Sequence, residues 1–306
     1  MKNSGQSRMK WYAKTYVGFI IAFLYLPILV LIIYSFNESK SRSYFTGFTL
    51  GWYRQLFTNE FIISSLRTTL AIALISSVVA TVIGTMAAIG ISNMKKLSRA
   101  VVMNLTYMPI INPEIVTGVS LMLLFGFFNT FFKWLGGRSG VNFGFEFGFQ
   151  TLALAHITFN IPYVILNVMP KLRQMDKNVY EAALDLGCND WQAFYKVVVP
   201  DIMPGIVAGF LTSVTMSLDD FVISYFVSGP TSQTLPITIF SMTRRKVSPE
   251  INALSSIIFV VVLIVLLIVN IRDARVERAT ANANANALAG AGKNTGALVK
   301  TRGGAA

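Results

Sequence analysis

Two neighbouring carboxylates, Asp219 and Asp220, sit inside an otherwise apolar run, Ser217-Leu218-Asp219-Asp220-Phe221-Val222. An ionised side chain at the centre of a membrane-crossing helix costs about 2.5 to 3.5 kcal/mol on insertion scales unless a cavity or a partner receives it. Cation binding is the chemistry such placement favours, because a few carboxylates and aromatic faces, here joined by Glu114 and Tyr225, stabilise cations without holding them too tightly. The same placement also suits structural hydrogen bonds, to a partner chain or to backbone freed at a helix break. Catalysis fits these residues poorly. Adjacent aspartates on a helix diverge by about 100°, so they do not form the close pair of an aspartyl protease. His156, the one histidine, reads as a packing or hydrogen-bonding group, and Cys188, the one cysteine, as a small residue in a turn. One Cys with one His supplies neither an internal disulfide nor a metal site of sulfur and imidazole ligands.

The elements that carry these residues must be membrane helices. Of 306 residues, 54% are hydrophobic and 13% charged, with a mean hydropathy of +0.58; a soluble globule carries about 25% charged residues. The hydropathy pattern predicts an all-α bundle of six spans, Thr15 to Phe36, Thr68 to Ile91, Val101 to Phe128, Phe149 to Pro170, Met203 to Val227 and Ile251 to Ile271. The first lacks a small-residue cleavage site and is expected to stay as an anchor. Pro109 and Pro113 bracket Ile110, Ile111 and Asn112, which predicts a break or kink just before Glu114. Gly84, Ala87, Ala88 and Gly90 form a small-residue stripe suited to close helix packing. Phe143, Phe145, Phe147 and Phe149 alternate with Gly144, Glu146 and Gly148 and read as an interfacial aromatic belt.

The net charge of +12 is distributed as membrane orientation requires and not as a nucleic-acid footprint. Seventeen of the 26 Lys and Arg residues fall before the first span, in the second and fourth loops, or after the last span, which predicts both termini in the cytoplasm. Arg244, Arg245 and Lys246 run against that rule in the last outward loop. Residues 1–275 are read as one transmembrane domain, and 276–306, rich in Ala, Asn and Gly, as a disordered cytoplasmic tail. In that tail Gly292-Lys293-Asn294 lacks the Ser or Thr and the earlier glycine of a phosphate loop. No ATP site is encoded, so energy must come from an ion gradient or from another chain.

The fourth loop favours another chain. Asp176 stands where it can cap a short helix that carries Glu181 and Asp185 four apart on one face, beside the low-profile Ala182 and Ala183. Gly187 can take the left-handed conformation that ends such a helix. A second amphipathic helix is expected near Asn189 or Asp190, with Trp191, Phe194 and Tyr195, so that 176–200 forms a hairpin.

At these residues the chain resembles the inner-membrane permease subunits of ABC importers. Their signature is Glu-Ala-Ala, three residues, Gly, nine residues, then Ile-x-Leu-Pro. Glu181, Ala182, Ala183, Gly187 and Pro200 match it, with Val197 and Val199 in place of Ile and Leu. The runs Met108 to Val116, His156 to Tyr163, Ser217 to Val222, Ser228 to Pro230 and Ser248 to Leu254 are similar to PotC-like polyamine (spermidine/putrescine) importer permeases. The resemblance implies a type I importer permease fold in a bacterial inner membrane. It also implies a homologous second permease, an ATPase dimer that holds ATP and Mg and docks on the hairpin, and an extracytoplasmic substrate-binding protein. On this reading the chain binds no cofactor, does no catalysis itself, and forms part of a translocation path by ATP-driven alternating access, with Asp219, Asp220, Glu114 and Tyr225 as the substrate-path set. Similar permeases serve iron, thiamine and phosphonate importers, and acidic groups in the membrane favour a cation among these. An ion-coupled secondary carrier remains the alternative from another class, but it has no use for an ATPase dock.

Overall fold

The computed structural model describes residues 4–39, 44–139, 146–245 and 249–261, with 263, 264 and 267. The predicted tail, Phe143, Phe145 and Lys246 lie outside them. The described residues fold as helices, with a single antiparallel bridge between Asn37 and Phe48. The chain divides into two compact units, one of residues 1–56 with 248–306 and one of 57–247.

In the first unit, α1 (Ser4–Ser35) leads into a turn organised by Asn37. Its amide donates to the Tyr44 carbonyl at 2.9 Å, its Oδ1 accepts from Thr46 N at 3.0 Å, and its own carbonyl accepts from Trp52 Nε1 at 2.8 Å. Phe36 stacks on Phe48 and lies against Tyr53. The helix α2 (Gly51–Thr58) follows.

The second unit holds α3 (Glu60–Ser92), α4 (Lys96–Ile111), α5 (Glu114–Ser139), α6 (Phe149–Gln174), α7 (Lys177–Asp185), α8 (Asp190–Ala193), α9 (Val199–Asp219), α10 (Val222–Val227) and α11 (Leu235–Arg245). Pro249–Val261, here α12, is an apolar helix of the first unit. Five described helices are long and apolar enough to cross a membrane: Trp11–Ser35, Glu60–Ser92, Glu114–Gly136, Phe149–Gln174 and Asp190–Asp219. The sixth predicted span begins in α12 and runs on past the described residues.

Two predicted spans need correction. Val101 to Phe128 is not one helix, because α4 stops at Ile111, Asn112 takes an extended conformation, and α5 starts after Pro113. Pro109 alone does not stop α4; the break falls at Asn112 and Pro113, since the residue before a proline is pushed out of the helical region. Met203 to Val227 is not one helix either. The chain from Asp190 is continuous to Asp219, then turns extended at Asp220 (φ −62°, ψ 119°) before α10 begins.

The core of the second unit is the mutual packing of α3, α6 and α9. It has two apolar layers. Ala88, Ile91, Val164, Val168, Val198 and Ile202 form one, and Ile72, Leu121, Phe125, Leu152, Ala155 and Ile223 the other. Between them along the helices lies a buried polar contact, where Asn160 Nδ2 donates to Ser217 Oγ at 2.7 Å and Ser76 Oγ lies 3.2 Å from the same hydroxyl. The small-residue stripe works as expected at Gly84 and Ala88. A Cβ on Gly84 would lie 2.7 Å from Val164 Cβ, and one on Gly209 of α9 would lie 3.2 Å from Val164 Cα, so Val164 is clasped between glycines of two helices. Gly90 has open space beside it and takes no part.

Candidate functional site

Both helix breaks open on one cleft of about 310 Å³, a size within the range of about 300 to 1,000 Å³ usual for small-molecule sites. The break after Pro113 contributes Glu114, and the break after α9 contributes Asp219 and Asp220. Aromatic faces come from Phe159 and Tyr163 on α6 and from Phe221. Three of the four predicted path residues therefore meet in one place, although Glu114 lies more than a hundred residues from the aspartates in the chain. The fourth, Tyr225, is not part of the lining. Its exposed ring lies 5.6 Å from that of Phe221, which does line the cleft. Carboxylates gathered around one concavity create a negative potential, and flanking π-faces add a second attraction for an ammonium group.

The break at Asp219 and Asp220 is held by hydrogen bonds that the sequence pattern does not reveal. Asp220 Oδ2 accepts from the Ser224 backbone N–H and from its hydroxyl, both at 2.7 Å, and Oδ1 accepts from Ile223 N at 3.3 Å. These N–H groups belong to the first turn of α10, where a helix has no internal acceptors. His156 is fully buried, with Nε2 2.9 Å from Ser224 Oγ and 3.6 Å from Asp220 Oδ2. Its reading as a hydrogen-bonding group holds, but its partners, more than sixty residues away, come only from the fold. The far end of α10 is also tied, since Thr151 Oγ1 at the start of α6 donates to the Val227 carbonyl at 2.7 Å. Close to it, Gly229 takes a positive φ of 64°, where an added Cβ would fall 2.3 Å from the Phe147 carbonyl oxygen. Phe159 and Tyr163 were not among the residues singled out by sequence; their spacing of four on α6, one turn beyond His156, is the signal that marks them as one face.

Within 176–200 the caps and the glycine stop expected from the residues are present. Asp176 Oδ1 accepts from Asn178 N at 3.0 Å and caps α7. The helix ends at Gly187, which has φ +89°, with Gly187 N bonded to the Leu184 carbonyl and Cys188 N to the Ala183 carbonyl. Asn189 and Gln192 then cap α8 reciprocally, at 2.8 and 3.2 Å. Glu181, Ala182 and Asp185 are exposed, whereas Ala183 is buried. Leu186 and Trp191 stand 87% and 72% exposed, and Trp191 packs with Phe194 and Tyr195. Tyr180 donates a long hydrogen bond to Asp190, 3.4 Å, which joins α7 to α8.

One feature differs from a free-standing hairpin. After α8 the chain does not turn again but passes through one wide π turn, Phe194–Val198, directly into α9. Pro200 sits in the first turn of α9 and offers no N–H to the carbonyl four residues earlier, which is the position where the widening occurs.

Residues 80–282 match the family described as binding-protein-dependent transport system inner membrane component. The chain belongs to that family. Among relatives of this permease, the spermidine/putrescine transport system permease protein PotC of Escherichia coli (strain K12) is 35% identical over 248 residues, covering 81% of this chain and 88% of that protein. The putrescine transport system permease protein PotI of the same strain is 38% identical over 258 residues, covering 84% and 88%. A PotC homolog of Mycoplasma pneumoniae is 27% identical over 271 residues. Of solved structures, a bacterial alginate ABC transporter in complex with an alginate pentasaccharide-bound periplasmic protein aligns with a TM-score of 0.67 at 17% identity, over 88% of this permease and 95% of that chain. A further alginate importer structure aligns with a TM-score of 0.66 at 12% identity. At these identities the likeness establishes the fold, that of an ABC importer permease.

Proposed function

We propose that this permease carries polyamines of the spermidine and putrescine class, as one of two paired permease subunits in a binding-protein-dependent importer. The observation that carries the reading is the cleft in which Glu114, Asp219 and Asp220 meet the aromatic faces of Phe159, Tyr163 and Phe221. A flexible polycation passes such a lining because each ammonium group exchanges one carboxylate or ring for the next. The curated relatives, at 35% and 38% identity, point to the same substrate class.

Energy enters through partners. In this reading Glu181, Ala182, Asp185 and Gly187, with the exposed Leu186 and Trp191, dock on an ATPase dimer that binds ATP and Mg; Ala183, expected in the same set, is buried and lies off that surface. An extracytoplasmic binding protein delivers the substrate, a homologous permease completes the path, and both termini of this chain lie in the cytoplasm. The helix run from Asp190 to Asp219 joins the docking hairpin to the cleft, so a push at one end reaches the other without a flexible link. The test is uptake of labelled spermidine and putrescine by cells that lack their own polyamine importers and express the complete system. Saturable uptake that unlabelled polyamines compete and that neutral solutes or anions do not is the expected result. Uptake of an anionic or neutral solute in place of polyamines overturns the proposal.

A further inference from the structure

The two aspartates at the break are neighbours in sequence but not in circumstance. The Asp220 side chain is 6% exposed and spends its oxygens on the backbone of Ile223 and on both donors of Ser224. With the Ser224 hydroxyl proton directed to Asp220, the bond between Ser224 Oγ and His156 Nε2 requires the imidazole to donate, which places its proton on Nε2. His156 Nδ1 has no hydrogen-bond partner among the described residues, in keeping with a bare acceptor nitrogen. A directed chain of donors thus runs from α6 through Ser224 to Asp220. Asp219 differs on each count. It is exposed on the cleft, and among the described residues no group of another residue donates a hydrogen bond to its carboxylate. Its oxygens are available to a passing ammonium group, and those of Asp220 are taken.

We propose that Asp219, with Glu114, is the carboxylate that meets the cation, and that Asp220 is a positioning residue which, through Ser224 and His156, holds α10 at the edge of the cleft. The assignment rests on the reading of the cleft as a cation path. It also rests on the tie at the opposite end of α10, from Thr151 to Val227, which leaves the Asp220 end as the one fixed by side chains of the break itself.

The experiment uses the complete importer with Asp219→Asn, Asp220→Asn and Ser224→Ala as single variants. For labelled spermidine uptake, Asp219→Asn raises KM about tenfold with a smaller change in Vmax, whereas Asp220→Asn and Ser224→Ala lower Vmax and leave KM within about twofold of the parent. Amide hydrogen exchange on the purified complex supplies the second readout. Asp220→Asn and Ser224→Ala speed exchange in residues 223–227, and Asp219→Asn leaves it unchanged. Equal KM shifts at both aspartates, or faster α10 exchange in Asp219→Asn, overturn the division of roles. Should the parent complex take up no polyamine, the polyamine reading fails, and the exchange comparison still decides the role of Asp220: unchanged α10 exchange in both Asp220→Asn and Ser224→Ala overturns it. Ser224→Ala keeps the test decisive if Asp220→Asn does not assemble.

Discussion

The helix run Asp190–Asp219 has opposite chemistry at its two ends. At the hairpin end, large apolar side chains stand in the open, Leu186 at 87% and Trp191 at 72% exposure. At the break end, polar side chains are shut away, with His156 and Ser224 at 0%. An apolar patch left in water is an interface awaiting its other half, whereas a buried polar group with its bonds made is a structure complete in itself. On the proposed function a partner chain covers the hairpin end, whereas the break end is held by hydrogen bonds within this chain. At 30 residues and about 1.5 Å per residue, the two ends lie roughly 45 Å apart along the helix.

The largest effect is expected at the hairpin. Leu186→Asp with Trp191→Asp is expected to abolish uptake, since buried aromatic anchors of an interface are worth about 2 kcal/mol or more each. Both residues are exposed in the chain alone, so its yield in the membrane stays normal; pull-down of the ATPase measures the loss, and retained ATPase binding would refute the docking role. Next in size is the connection between the ends. Gly84→Leu drives a side chain into Val164, a case of overpacking that costs about 1 to 3 kcal/mol, and the melting temperature of the purified complex should fall accordingly. At Gly187 the space is open and only the backbone objects, so Gly187→Ala costs about 1 to 2 kcal/mol by forcing a Cβ into the left-handed region. Local exchange in the hairpin should rise there while that of α10 stays fixed. The smallest effect belongs to Asp176→Ala, which removes one cap bond worth about 1 kcal/mol. It should lower ATPase stimulation by substrate only modestly, with substrate KM unmoved.

What the sequence made legible follows the same division. The hairpin could be read because its signals are local: Asp176 caps two residues on, Gly187 stops the helix it follows, and Asn189 bonds to Gln192 three residues away. The break after Asn112 was visible through Pro113. The break after Asp219 was not, because no glycine or proline marks it. It is made by Asp220, which captures donors three and four residues on within a run that reads as one apolar span, and by a histidine from α6 that is 68 residues from its partner Ser224. Acids in an apolar run announced that something required them, but not that the oxygens of Asp220 are taken by Ile223 and Ser224. The serines at 76 and 217 were silent for a similar reason, since a small hydroxyl in a hydrophobic run looks like packing until Asn160 is brought beside it. The π turn that merges α8 into α9 was missed too; Pro200 was read only as the last residue of the signature.

Val164 held between Gly84 and Gly209 has a mechanical corollary. With glycine on either side there is no spare room for α3, α6 and α9 to shear past one another at their crossing. If the hairpin is driven as proposed, the stroke should therefore rotate the three as a block, with give at the joints after Asn112 and after Asp219, where the acids wait.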